Sequence, residues 1–339
     1  MSDARAVRDA SASSDFHKGI ASATTEKNSG VRLRFIDTAN RRMPVAVMEW
    51  RHDAPLLADL VSLYADLGLR VAHHELLPPG DHSDAPVHRF SFDTDDIGWS
   101  ATTPGLLRDA FEAAASGDLE VDGFTRLIAA ASIPFDDAVL VRAAARYLGQ
   151  VGLELSEPTV VSILLRHPDF VRSFCALFHA RFDPDVTDCD GPTAVAEKIL
   201  DTEIERTSAL DEDRLLRGLR SFLGAVLRTN WFRHNRTVGA PPAAFKIDPA
   251  RLSLTAAVTP YREIFVHSPI VEGSHVRSGP TSRGGLRHSD RHDDFRTEVL
   301  DLMRTQHVKN SPIVPMGAKG AFVVRSTPTP EGVRSAYTR

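Results

Sequence analysis

The chain has 339 residues, 42% of them hydrophobic and 25% charged, with a formal net charge of −5 and a pI near 6.3. This length accommodates two or three domains of ordinary size, and the balance is that of a globular protein. The charge argues against a nucleic-acid partner, which needs a basic face, and no stretch approaches the roughly 20 apolar residues of a membrane span.

The N-terminus, MSDARAVRDASASSDFHKG, is polar and carries no apolar signal core, so export is not expected and a cytoplasmic location is. Residues 1–30, rich in Ser, Ala, Thr and Asp without a sustained period, are expected to be disordered. VRLRFI (31–36) alternates as a strand does, and PVAVMEW (44–50) follows as a second. LLADLVSLYADLGL (56–69) repeats Leu56, Leu60, Leu63 and Leu67 at helical spacing, and Gly68 suits the helix end. RVAHHELL and HRFSFDT offer two more strands. Strand, strand, helix, strand, strand makes a small α+β module.

From Gly105 to about Arg233 the pattern is helical. Leu106, Leu107 and Phe111 begin it. Asp136 to Val151 carries Val139, Ala143 and Tyr147 on one stripe. Ser156 with Glu157 and Pro158 marks a helix start. Phe170, Phe174, Leu177 and Phe178 form the next apolar face. Asp211 is placed to cap a helix that buries Leu215, Leu219, Phe222 and Val226. The expectation is a bundle of several helices over 101–240. Cys175, in the apolar run FCALF, reads as a core thiol. It could pair with Cys189, but two cysteines are too few for a disulfide scaffold or a zinc cluster.

After the proline pair at 241–242 the pattern returns to strands: FKID, REIFVHS and GSHVR, in an antiparallel or mixed sheet. DDFRTEVLDLMRTQHVK (293–309) is an amphipathic helix through Phe295, Val299, Leu302 and Met303. Acids crowd its start and bases its end, as the helix dipole prefers. A short strand, PIVPM, a loop, GAKG, and a strand, AFVV, complete the pattern.

Chemistry concentrates in residues 283–322. Arg283-Gly284-Gly285-Leu286-Arg287 flanks a glycine pair with two guanidinium groups. The helix delivers Lys309 at its C-terminal end, and the following segment delivers Lys319 between Gly317 and Gly320. Glycines let a ligand approach backbone and ammonium together. Arg grips two carboxylate oxygens and Lys adds a point charge, so the set suits a carboxylate substrate, with a lysine available for proton transfer. A phosphate-cradling loop is the weaker reading, because GAKG lacks the GxxxxGK[ST] spacing. A plain surface turn is the bland one. His288 and His292 lie four apart beside Asp290, Asp293 and Asp294. Solvated histidines and helix-start acids account for them better than a metal does. His73, His74 and the DHSDAPVH run read as loop or edge residues, and no metal site is expected.

RGGLR, DFRTEVLDLMRTQHVKN and IVPMGAKGAF, in this order, resemble the substrate-binding segment of amino-acid dehydrogenases, and more closely that of the large NAD-specific glutamate dehydrogenases. VEGSHVRSG, LRTNWF, DGFTRLIAAASIPFDDAVLVRAAARYL and ILLRHPDFVRSFCALFHARFDP fit the same class. Residues 31–100 resemble the ACT-like modules that precede its helical region. The resemblance implies an α+β multidomain chain: an ACT-like module (31–100), a helical domain (101–240), and the first part of the catalytic, substrate-binding α/β domain (241–325). It implies oxidation of L-glutamate to 2-oxoglutarate and ammonia with NAD. It makes Lys319 catalytic and Lys309 a ligand of the substrate α-carboxylate. Arg283 is placed near the side-chain carboxylate, and Gly284, Gly285, Gly317 and Gly320 shape the backbone. It also implies homo-oligomeric assembly of the full-length protein and an amino-acid effector.

The chain departs from the family pattern in places. Ala321 stands where a glycine is common, and Arg283 where smaller relatives often have lysine. No GxGxxG occurs, and the family's acid/base aspartate falls beyond residue 339. NAD is therefore expected to be bound by a domain not present in this chain. The tail 326–339 reads as a truncated helix start, the chain as a fragment, and the isolated chain as inactive. The alternative is a non-catalytic regulatory or assembly module that binds an amino acid through its ACT-like region.

Overall fold

The computed structural model describes residues 31–36, 44–50, 56–78, 87–93, 99–115, 117–187, 190–233, 242–254, 258–309 and 316–325. The expectations for residues 1–30, Cys189, most of PIVPM and DHSDAPVH, and the tail 326–339 lie outside the described residues. The described part is α+β, and its contacts divide the chain into two units: 1–139 with 164–168, and 140–163 with 169–339.

In the first unit β1 (Val31–Ile36), β2 (Val45–Trp50), α1 (Leu57–Asp66), β3 (Arg70–Leu77) and β4 (Val87–Asp93) follow the order that the alternation implies. The sheet runs β1-β2-β4-β3, with each adjacent pair antiparallel. Because β2 and β3 both run against β4, they are parallel to each other and joined through α1 with one strand between them, a split βαβ arrangement. α1 buries Leu60, Leu63 and Tyr64. Tyr64 meets Phe90 and Phe92 at ring separations of 4.9 and 4.8 Å. Gly68 ends the helix at φ +83°, donating to the Ala65 carbonyl while Leu69 donates to that of Tyr64. This paired closure favours glycine, because other residues are strained in the left-handed region. α2 (Thr103–Ala115) buries Leu107 and Phe111, and α3 (Arg126–Ala130) buries Leu127 and Ile128.

α4 (Phe135–Val151) begins in the first unit and continues from Leu140 in the second. Its stripe is the expected one, with Val139, Ala143 and Tyr147 buried. α5 (Glu157–Arg166) starts where Ser156 accepts a hydrogen bond from the Thr159 N–H, a helix N-cap. α6 (Pro168–Phe182) buries Phe170, Phe174, Cys175, Leu177 and Phe178. α7 (Asp190–Glu205) and α8 (Leu210–Ala225) follow.

Two details differ from the sequence reading. Ala209 rather than Asp211 occupies the cap position of α8, and Asp211 joins Glu212 and Asp213 in the first turn, where the dipole favours acids. Val226 is not helical. It turns extended at the end of α8 and opens β5 (Val226–Thr229), whose ladder with β6 (Ala243–Ile247) overrides the helical period.

The second sheet has six strands in the order β5-β6-β7-β8-β10-β9, with β7 (Arg262–His267), β8 (Val271–Arg277), β9 (Leu286–His288) and β10 (Ala318–Val324). β5 to β8 form an antiparallel meander, β10 runs antiparallel to β8, and β9 runs parallel to β10. α9 (Phe295–Lys309) makes the connection between β9 and β10 that two parallel strands require. Its Val299, Leu300 and Met303 are buried against Val276 and Ala321 of the sheet. Among the described residues no helix is long and apolar enough to cross a membrane.

Candidate functional site

The site begins with the zipping of two segments far apart in sequence. Arg283 bridges Gly317 in parallel, and β9 continues the pairing as Leu286 faces Gly320 and His288 faces Phe322. Backbone bonds run from the Ala318 N–H to the Arg283 carbonyl (3.2 Å) and from the Gly320 N–H to the Gly285 carbonyl (3.0 Å). Arg283, Gly284, Gly285, Gly317, Lys319 and Gly320 are thereby brought together on adjacent backbone.

Small residues are needed for this closeness. A Cβ on Gly284 would lie 1.5 Å from the Ala318 carbonyl oxygen and 2.4 Å from its carbon, both backbone atoms that cannot step aside. A Cβ on Gly320 would meet the Leu286 Cδ1 at 2.7 Å. Gly285 has open space where a Cβ would point. Ser278 holds the Gly317 carbonyl with both its backbone N–H (3.0 Å) and its hydroxyl (2.9 Å).

GAKG is not the loop that its glycines suggest. Ala318, Lys319 and Gly320 lie inside β10, because the ladder to β8 reaches Ala318 opposite Arg277. Lys319 is half-buried and stands opposite Val276, which in turn stands opposite Glu263. Side chains opposite one another share a sheet face, so Lys319 belongs to the face that α9 covers. Arg283 is exposed. Lys309 is the last residue of α9, and its side chain lies outside the described residues.

Beneath α9 the covered face holds charges that periodicity alone does not reveal. Glu263 is fully buried and Arg296 is 2% exposed. The Arg296 Nε donates to both Glu263 oxygens (2.9 and 3.1 Å), and a terminal nitrogen donates to Oε2 (2.9 Å). The Ser274 hydroxyl (2.8 Å) and the Tyr147 hydroxyl (3.1 Å) complete the shell of the carboxylate. Burial works against the charge on Arg296, but Glu263 outweighs it and the guanidinium pKa rises. Burial, then Glu263, pushes the Tyr147 hydroxyl well above its ordinary value.

A second buried group occupies the β7–β8 hairpin. The His267 Nδ1 lies 3.0 Å from Glu272 Oε1, and Arg146 and Arg325 approach the same oxygen at 3.5 and 3.4 Å. Burial alone would raise the Glu272 pKa. The His267 hydrogen bond and the neighbouring cations reverse that and hold it at about 2. Burial also lowers the His267 pKa. Because the Glu272 carboxylate only accepts, Nδ1 is the donor in this contact.

His288 is half-buried beside the Phe322 ring, with centroids 5.5 Å apart, and His292 is exposed. His74, on the edge strand β3, meets the His88 Nδ1 through its Nε2 at 3.0 Å. Among the described residues no three His, Cys, Asp or Glu side chains converge as metal ligands do.

Residues 199–339 match the family model of the bacterial NAD-glutamate dehydrogenase catalytic domain, and residues 119–184 match that of glutamate dehydrogenase helical motif 3. The chain belongs to the NAD-specific glutamate dehydrogenase family. It is 36% identical to the NAD-specific glutamate dehydrogenase of Halomonas elongata over 308 residues, covering 89% of this chain and 18% of that protein. It is 42% identical to that of Mycobacterium tuberculosis over 238 residues, covering 68% and 14%. It is 38% identical to that of Pseudomonas aeruginosa over 287 residues, covering 81% and 18%. The chain thus spans less than a fifth of the length of these curated relatives.

The described residues do not fit the NAD that the family name implies. A dinucleotide needs a glycine-rich turn at a helix N-terminus aimed at its phosphates. Of the two parallel connections among the described elements, β2-α1-β3 leads into its helix through the sequence RHDAPL (51–56) and β9-α9-β10 through SDRHDD (289–294), and neither segment has a glycine.

Proposed function

We propose that this chain supplies the substrate-binding part of a cytoplasmic NAD-dependent glutamate dehydrogenase, which converts L-glutamate, oxidised NAD and water to 2-oxoglutarate, ammonium, reduced NAD and a proton. The observation that carries the reading is the parallel closure of Arg283-Gly284-Gly285 on Gly317-Ala318-Lys319-Gly320. It supports a site in which a guanidinium and an ammonium serve one dicarboxylate, because it brings the backbone that carries Arg283 beside the backbone that carries Lys319.

In this reading Lys309 pairs with the α-carboxylate and Arg283 lies towards the side-chain carboxylate. Lys319, rooted in a strand rather than a loop, moves the proton of the attacking water or polarises the carbon that becomes the ketone. Gly284 and Gly320 keep the two segments close enough for this. The cofactor is held by residues other than those described. Homo-oligomeric assembly and an amino-acid effector at the ACT-like N-terminal unit belong to the same proposal, and both rest on the family resemblance.

The test is glutamate-dependent reduction of NAD by the polypeptide as its gene encodes it. Lys319→Ala is expected to lower kcat by roughly a hundredfold or more. An enzyme that oxidises glutamate equally well without Lys319 would refute the assignment, and no glutamate oxidation by the unmodified polypeptide would refute the function.

A further inference from the structure

We infer that the buried Glu263–Arg296 pair, together with Gln150, is a positioning device that sets the register of α9 on the six-stranded sheet and thereby the placing of Lys309 relative to Lys319. The inference rests on the functional reading above.

Most of the contact between α9 and the sheet is apolar: Val299, Leu300 and Met303 against Val276 and Ala321. Such contact is non-directional and tolerates exchange and sliding of similar side chains. The Glu263–Arg296 contact is directional. Three hydrogen bonds between one carboxylate and one guanidinium, at 2.9 to 3.1 Å, admit one position of the helix. The acceptor is itself fixed, by Ser274 on the next strand and by Tyr147 on α4.

One turn further along α4, the Gln150 side-chain oxygen accepts from the Arg296 backbone N–H (3.2 Å). Its amide nitrogen donates to the carbonyls of His292 (3.1 Å) and Asp293 (3.0 Å). The start of α9 is thus clamped from two elements.

A pair buried this deeply is a poor source of stability, because desolvation consumes most of its attraction. What it supplies is a unique arrangement. Glu263, Val276 and Lys319 lie in one row across three strands, so the pair ties the helix to the row that carries the proposed catalytic lysine. A slip of one residue along α9 is about 1.5 Å of rise and 100° of rotation. An ångström of misplacement is enough to spoil a reacting geometry.

The experiment compares Arg296→Met, Gln150→Ala and the double variant Glu263→Leu/Arg296→Met with the unmodified polypeptide as the gene encodes it. KM for glutamate, KM for NAD, kcat and Tm are measured for each. Arg296→Met is expected to raise KM for glutamate roughly tenfold or more, with KM for NAD within about twofold. The double variant, which replaces both charges by apolar groups, is expected to regain most of the lost Tm while KM for glutamate stays raised. Gln150→Ala, at the surface, is expected to raise KM for glutamate about threefold at nearly unchanged Tm. Recovery of the original KM in the double variant would overturn the inference, since the pair would then serve folding alone. If the double variant does not fold, an unchanged KM in Gln150→Ala overturns it instead. Failure of the unmodified polypeptide to oxidise glutamate would sink the functional reading, and this inference with it.

Discussion

Against the four-stranded sheet, α1 buries Leu60, Leu63 and Tyr64, and Tyr64 meets Phe90 and Phe92. Against the six-stranded sheet, α9 lays an arginine on a buried glutamate, and α4 adds a tyrosine hydroxyl to the same carboxylate. The first interior is aromatic and aliphatic, and its stability comes from apolar area removed from water. The second contains Glu263, Glu272, His267 and Arg296, all at or below 5% exposure. Buried charge is tolerated only where each member is paired, so the second interior gives up stability for a fixed arrangement. The fixed arrangement lies on the face that carries Lys319.

The comparison breaks most visibly in the aromatic cluster. Phe90 is fully buried, with the His74 ring 4.8 Å and the Tyr64 ring 4.9 Å away. Phe90→Ala is expected to cost about 3–5 kcal/mol in equilibrium denaturation, from lost transfer energy and the cavity left behind. A loss below about 1 kcal/mol would show that this interior is not close-packed.

The charged interior should answer to acid. Glu272 has its pKa depressed from 4.5 to about 2 in the folded chain, among His267, Arg146 and Arg325. A depressed carboxylate contributes stability that is fully present above 4.5 and is lost as pH falls from there towards 2. The loss amounts to about 3 kcal/mol, since a tenfold change in proton affinity is worth about 1.4 kcal/mol. His267, whose pKa burial depresses, acts in the same direction from 6.5 downwards, because the folded chain resists its protonation. Chemical denaturation between pH 7 and 2 follows both. Glu272→Gln should flatten the lower window and deepen the upper one, because the Glu272 carboxylate and its hydrogen bond are what hold the His267 pKa up.

The sequence exposes these two interiors unequally. Alternation in VRLRFI places β1 as it is found, RVAHHELL forms the strand expected of it, and Gly68 marks its helix end through the one conformation that favours it. The glycine-flanked basic residues also point to a site, and the structure joins Arg283 to Gly317. Three things were not legible. Lys319 reads as a loop residue, because glycine signals a turn locally, whereas here it permits close approach between strands. β5 reads as helix, because its pairing with β6 is a tertiary fact. The buried pair is faintly written: in REIFVH, Glu263 shares its alternation with buried Phe265, and in α9 Arg296 lies three and four residues before buried Val299 and Leu300. A charge on each of two apolar faces is a hint that they neutralise one another, but only the fold brings them together.

The finest test sets two buried tyrosines against each other. Tyr64 and Tyr147 are both fully buried, and burial raises both hydroxyls far above their ordinary value. Their surroundings differ in one respect. The Tyr64 hydroxyl has no hydrogen-bond partner among the described residues, whereas the Tyr147 hydroxyl donates to Glu263 at 3.1 Å. Removing a hydroxyl that is buried and unsatisfied relieves a desolvation penalty, so Tyr64→Phe is expected to be neutral or to stabilise by up to about 1 kcal/mol. Removing a donor from a buried carboxylate leaves an acceptor short, so Tyr147→Phe is expected to cost about 1–3 kcal/mol. The same chemical change should therefore have opposite signs in the two interiors. Urea midpoints of the two variants, compared at neutral pH, decide it. A loss at Tyr64 as large as that at Tyr147 would mean that the first interior also holds a specific polar contact, and the contrast between an apolar core and a positioned charged one would fail.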